Sequence, residues 1–266
     1  MAQEKWLVDG PKVIDIDGVR RLKLGLIAGQ VNVIGHDEPG VHIEVHSVSG
    51  REIKITLDGD TLEIDHVQLR WDNFIEVFKS FGGSARTDVT VQVPRETALT
   101  FGVVSASGLI SGLNADASIS TVSGDLIVDN LSGNLQLNAV NGEIAVRGHQ
   151  GDILANTVSG EVTAAGELRK FTADTVSGDV FLDITGVPDE VRVNTVTGSV
   201  TVRLEADVAA QYKINTMSGR IQLDDSEIRG VRGAYTGRFG TLDKSWLAFS
   251  ANTVSGNISV LHAVSA

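Results

Sequence analysis

The chain has 266 residues, 42% of them hydrophobic, with a formal charge of −12 and no cysteine. That length suits one large all-β domain or two ordinary ones. The acidity argues against a nucleic-acid footprint or a general attraction to anionic lipid, and the missing cysteines exclude disulfides and thiolate metal sites.

The first residues, MAQEKWLVDGPKVIDIDG, contain no basic region followed by an apolar stretch. No run of about 18 apolar residues occurs anywhere, so neither a signal peptide nor a membrane span is expected. The expected location is the cytoplasm, although an exported chain trimmed of its leader would read the same.

Residues 1–104 are strand-rich but irregular, in fragments such as RLKLGLIAGQVNVIG, VHIEVHSVSG and REIKITLDG. AlaGlyGlnValAsnVal (28–33) resembles the units found later, which places the start of the repeat near residue 20. HisIleGluValHis (42–46) resembles a metal motif. On a strand, however, His42 and His46 would stand about 13 Å apart, too far to share an ion. In RWDNFIEVFKSFGG, Trp71, Phe74, Ile75 and Phe78 fall at helical spacing and Gly82-Gly83 follows. This predicts a short capping helix over 71–81.

From residue 105 to 266 the chain repeats itself. SerThrValSerGly ends at Gly124, AsnAlaValAsnGly at Gly142, AsnThrValSerGly at Gly160 and AspThrValSerGly at Gly178, each glycine 18 residues after the last. Further copies end at Gly198, Gly219 and Gly256, and TyrThrGlyArg (235–238) reads as a degenerate copy in the wide final gap. After each glycine, apolar and other residues alternate, as in Leu126/Val128, Ile144/Val146 and Val180/Leu182. A second alternating set, including Leu135/Leu137, Ile153/Ala155 and Phe171/Ala173, precedes each copy.

Short half-buried strands at a fixed period cannot bury their apolar face alone, but stacked coils can. The predicted fold is a single-stranded β-solenoid (β-helix) of about 18-residue coils. Its irregular part is 1–104 and its regular part is 105–266, within one continuous domain. Glycine is expected to turn the corners, the valine of ThrValSerGly to face the core, and Asn138, Asn156, Asp174, Asn194, Asn215 and Asn252 to form a ladder.

The opening GLIAGQVNVIGHDEPGVHIEV, the proline-marked TDVTVQVPRETALTF and the tandem TVSGDLIV-type units together resemble a known family over nearly the whole chain. It is the bacterial putative-adhesin family of β-strand-repeat domains, of DUF4097 type. The resemblance implies a repetitive all-β architecture and an adhesin-like role, and it brings no established catalytic residues to transfer.

No histidine accompanies the repeated serines, and a nucleophile does not need seven copies. Asp125, Glu143, Glu161 and Asp179 follow four consecutive corner glycines and would form an acidic column. A calcium line there is a weak candidate beside a solvated turn, so no metal or cofactor is expected. Short turns leave no room for the cleft of a carbohydrate-active β-helix enzyme.

The expected function is therefore a non-enzymatic binding or adhesin-like module with a protein partner. The alternative is a scaffold that self-associates end to end. The last coil ends ten residues after Gly256 with nothing following to cover it. An open strand edge there suggests a homodimer through the C-terminal coil.

Overall fold

A computed structural model describes residues 4–66, 85–228, 233–242 and 245–263. Every regular element among them is a β-strand, and none is a helix. The helix expected over 71–81 lies outside the described residues. The chain divides into two compact units, Met1–Gly133 and Asn134–Ala266.

The second unit shows most directly what the repeat builds. Its first strands are β11 (Leu135–Asn141), β12 (Ile144–Ser159), β13 (Val162–Ser177), β14 (Val180–Ile184), β15 (Glu190–Thr197) and β16 (Val200–Leu204). They pair in parallel in two arms. One arm aligns Leu135 with Ile153, Phe171 and Val191. The other aligns Ile144 with Val162, Val180 and Val200. Strands β12 and β13 each run through both arms, and their pairing slips where the chain bends between Val146 and Asp152. All of these aligned side chains are buried. Each large one contributes about 1.5–3 kcal/mol by leaving water.

After β16, stacking order and chain order part. β17 (Ala210–Ser218) does not pair with β15; β21 (Leu247–Ser255) does, aligning Phe249 with Val191 on one side and with Tyr212 of β17 on the other. In the second arm β22 (Ile258–His262) likewise lies between β16 and β18 (Ile221–Leu223). The last coil in sequence is thus inserted between two earlier ones. Asp224, at φ 50°, turns the chain back after β18. β19 (Ser226–Ile228) and β20 (Gly233–Phe239) then run antiparallel over β18 and β17. The Asp224 carboxylate accepts the His262 N–H at 2.7 Å, tying the turn to the end of the inserted coil.

One expectation falls with this arrangement, and another loses its ground. TyrThrGlyArg belongs to the reversed strand β20 and is not a repeat copy. The final coil has a neighbour on both sides of both arms, so the open edge that suggested a C-terminal homodimer is filled. The periodicity reveals which segments are coils but not which coil each one stacks on.

The first unit uses the same device. Its strands are β1 (Glu4–Val8), β2 (Lys12–Ile16), β3 (Arg21–His36), β4 (Val41–Ser49), β5 (Ile53–Asp58), β6 (Thr61–His66), β7 (Arg86–Pro94), β8 (Ala98–Ser111), β9 (Ala117–Ser123) and β10 (Leu126–Asp129). The first coil, β3, pairs in parallel with β8 on one side and with β6 and β7 on the other. β4 and β5 cover β7 and β6 in reverse, and β2 and β1 close over them in turn. β9 and β10 stack on the two arms of β8.

Candidate functional site

Alternation along a strand sends successive side chains to opposite faces, and the phase is set by the residues that are buried. In AlaAsnThrValSerGly (155–160), Ala155 and Thr157 are buried, while Val158 is 49% exposed. The valine of the repeat therefore faces outward and the threonine inward, the reverse of the expectation. The signal was present in the sequence. The threonine lies two residues beyond Ala155, Ala173, Val193 or Ala251, all core residues.

Replacing Val158 with Asp should accordingly cost only about 1 kcal/mol, through partial burial and strand preference. Ala155→Asp should cost more than about 4 kcal/mol, by burying a charge. Urea midpoints of the two variants check this, and equal losses would return the valine to the core.

Three columns follow from this phase on the outer face of the second unit. Asn156 donates its side-chain amide to Asn138 at 3.1 Å, Asn194 to Asp174 at 2.8 Å, Asn252 to Asn194 at 2.7 Å and Asn215 to Asn252 at 2.6 Å. Beside this ladder stand Val140, Val158, Val176, Val196 and Val254, 44–51% exposed, and Met217, 69% exposed. Exposed Ser159, Ser177, Thr197, Ser255 and Ser218 form the third column. A shallow groove of about 460 Å³ runs along the alkyl column, with Val176, Val196, Met217 and Val254 beside Asn194 and Asn252. Beneath it the Thr157 hydroxyl donates to that of Thr175 at 2.8 Å.

The corner glycines are needed for closeness rather than for turning. A Cβ on Gly160 would stand 2.2 Å from the carbonyl oxygen of Gly142, and one on Gly178 2.0 Å from that of Gly160. Gly198, Gly256 and Gly219 continue the column in stacking order. Of these five, only Gly198 has a φ in the left-handed region. In the first unit Gly124 meets the Ala106 carbonyl in the same way.

At one of the acidic positions after the glycines the side chain caps the corner. Asp179 accepts the Ser199 N–H at 2.7 Å, and Asn257 accepts the Arg220 N–H at 3.2 Å from the equivalent place. The backbone carbonyls of Glu161 and Asp125 accept N–H groups of Ile144 and Gly108. Glu143 also has a polar partner. Among the described residues, no group of three or more His, Asp or Glu side chains could hold a metal ion.

The first unit has a polar cleft of about 680 Å³, lined by Asp15, Asp17, His36, Asp37, Glu38 and His42 among others. Its charges are largely engaged with one another or with nearby groups. His42 Nδ1 lies 2.6 Å from Asp15, and Arg95 Nε, beside the cleft, lies 2.6 Å from Asp37. His46 instead meets the Thr90 hydroxyl at 3.0 Å, apart from His42.

Two neighbouring ionisable groups of this unit are buried. Burial raises the Asp65 carboxyl to about 6 against the pull of Lys54, and burial, aided by Arg51, lowers His66 to about 4. His66 Nδ1 accepts the Ile27 N–H at 3.3 Å, a bond that the doubly protonated ring cannot make.

The signs oppose. Asp65 contributes stability below its unfolded value near 4, and loses it as pH rises through 6. His66 contributes stability above about 6.5, and loses it as pH falls towards 4. Asp65→Asn should therefore stabilise the protein at pH 7, on the order of 2 kcal/mol, with the gain vanishing near pH 4. Urea unfolding at both pH values tests this, and an equal shift at the two would deny the carboxyl its role.

The family described as Toastrack DUF4097 matches residues 19–261. The chain belongs to that family. No curated protein matches it.

Among solved structures, a putative lipid binding protein from Parabacteroides distasonis ATCC 8503 is similar at 12% identity. The similarity covers 96% of this chain and 99% of that one, with a TM-score of 0.51. A putative adhesin from the same organism is 15% identical over 96% and 97% of the two chains, with a TM-score of 0.37. One from Bacteroides fragilis NCTC 9343 is 10% identical over 98% and 97%, with a TM-score of 0.36. At such identities the first of these bears on the fold alone.

Proposed function

We propose that this family member is a non-enzymatic β-solenoid module that binds a partner along the side of its stack. The observation that carries the reading is the exposed alkyl column of the second unit. Six aliphatic side chains in register sit on a rigid sheet face, where water-facing polar residues would cost nothing. Exposed apolar residues scattered singly need no explanation, whereas a contiguous row points to an interaction site. The names of the structural neighbours, adhesins and a lipid binding protein, agree in kind with a binding role.

A photo-crosslinking side chain placed at Val196 in the native cell tests the reading, with Thr201 on the other arm as the control. Adducts formed at 196 and absent at 201 support it. Adducts at 201 alone would move the binding face elsewhere.

A further inference from the structure

We propose that the partner along this groove is an uncharged, linear, β-linked polysaccharide. This inference rests on the binding reading above and names the chemistry of its ligand. The surface is striped, with an amide column, an alkyl column and a hydroxyl column side by side, and each repeats once per coil. Successive coils are about 4.8 Å apart, so the six aliphatic rungs extend for about 24 Å.

A pyranose in an extended β-1,4-linked chain has the complementary section. Its ring faces carry C–H groups and its two edges carry equatorial hydroxyls, and each residue advances the chain by nearly one coil spacing. The ring faces would lie on Val158, Val176, Val196 and Val254. One hydroxyl edge would meet the ladder, where the amides of Asn156, Asn194, Asn252 and Asn215 have two N–H groups each and the ladder bonds use one. The other edge would meet Ser177, Thr197 and Ser255.

Other occupants fit less well. The alkyl column is one side chain wide and six long, a narrow strip beside the ~800 Å² face per partner typical of stable protein pairs. An extended peptide repeats every two residues at about 6.8 Å, out of step with the coils. Its backbone groups would also lie over a sheet face whose own backbone is already paired. An anionic glycan is disfavoured on two counts. The only formal charge in the three columns is Asp174, and the chain as a whole is acidic.

The test uses the full chain with cellohexaose in titration calorimetry, and with insoluble cellulose and chitin in retention assays. Soluble starch serves as the α-linked control. Retention on at least one β-1,4 glycan, at least tenfold weaker for Val176→Asp/Val196→Asp and unchanged for Thr201→Asp, is the expected result. Thermal melts of the variants confirm that they fold, as the exposed Val176 and Val196 and the half-buried Thr201 should allow.

Failure to bind any of the β-linked glycans, equal binding to starch, or indifference to the double substitution overturns the assignment. A concentration-dependent dimer abolished by the same double substitution would give the stripe to a second copy of the chain and also overturn it. If the glycans fail while crosslinks at 196 persist, only the ligand class is lost and the binding face stands.

Discussion

Deletion of residues 247–266 should unfold the second unit rather than shorten it by one coil. Where coils stack in chain order, a terminal repeat contacts a single neighbour, and its loss leaves the rest in place. Here β21 separates β15 from β17, and β22 separates β16 from β18. Removing them strips both neighbours at once. The buried Leu247, Phe249, Ile258 and Val260 alone represent on the order of 10 kcal/mol of burial, comparable to the whole stability of a typical domain. Far-UV circular dichroism and urea unfolding of the truncated chain should show the β signal reduced by far more than 20 residues' worth. A cooperative melt within a few degrees of the parent would mean that β17 can close onto β15 unaided.

Gly178→Ala should be among the most damaging single methyls at the described positions. The added carbon would sit 2.0 Å from the Gly160 carbonyl oxygen, and no flexible side chain is available to yield. Coils already paired at sheet distance would have to separate locally, at about 3 kcal/mol or more. Gly10→Ala is the matched control, since nothing lies within 4 Å of its Cβ position. The control should be neutral or slightly stabilising, through the restricted unfolded chain. If the two variants melt alike, the glycine column reflects composition and not contact.

How much of this was legible beforehand depends on what each residue can signal. The all-β class and the parallel register were readable, because aligning the copies on their glycines also aligns Asn138 with Asn156 and Leu135 with Ile153, the pairs the structure makes. Val158 was misplaced because its residue type was read in place of its phase, which Ala155 and Thr157 fix. The outer groove could not be seen until that phase was corrected. The stacking order was not readable in principle. The coil of Asn252 fits between those of Asn194 and Asn215 because the copies are interchangeable, and interchangeable copies carry no address. The histidine and acidic residues around the first unit's cleft were individually visible. The hairpin reversal that gathers Asp15, His36 and His42 was not.

Interchangeable copies have a kinetic consequence. As the chain leaves the ribosome, residues 210–223 are made before 247–262, and the edge of β15 and β16 is then vacant. Asn215, Thr216, Ser218 and Gly219 match the pattern of that edge almost as well as Asn252, Thr253, Ser255 and Gly256 do. The earlier coil can therefore dock first in the place reserved for the later one, and must leave before the native order can form. Non-local pairing is slow in any case, and a well-matched wrong partner deepens the trap. Refolding of the second unit should thus show a slow phase, and single-exponential fast refolding would deny the trap. The regularity that makes the stack easy to build also makes it easy to build in the wrong sequence.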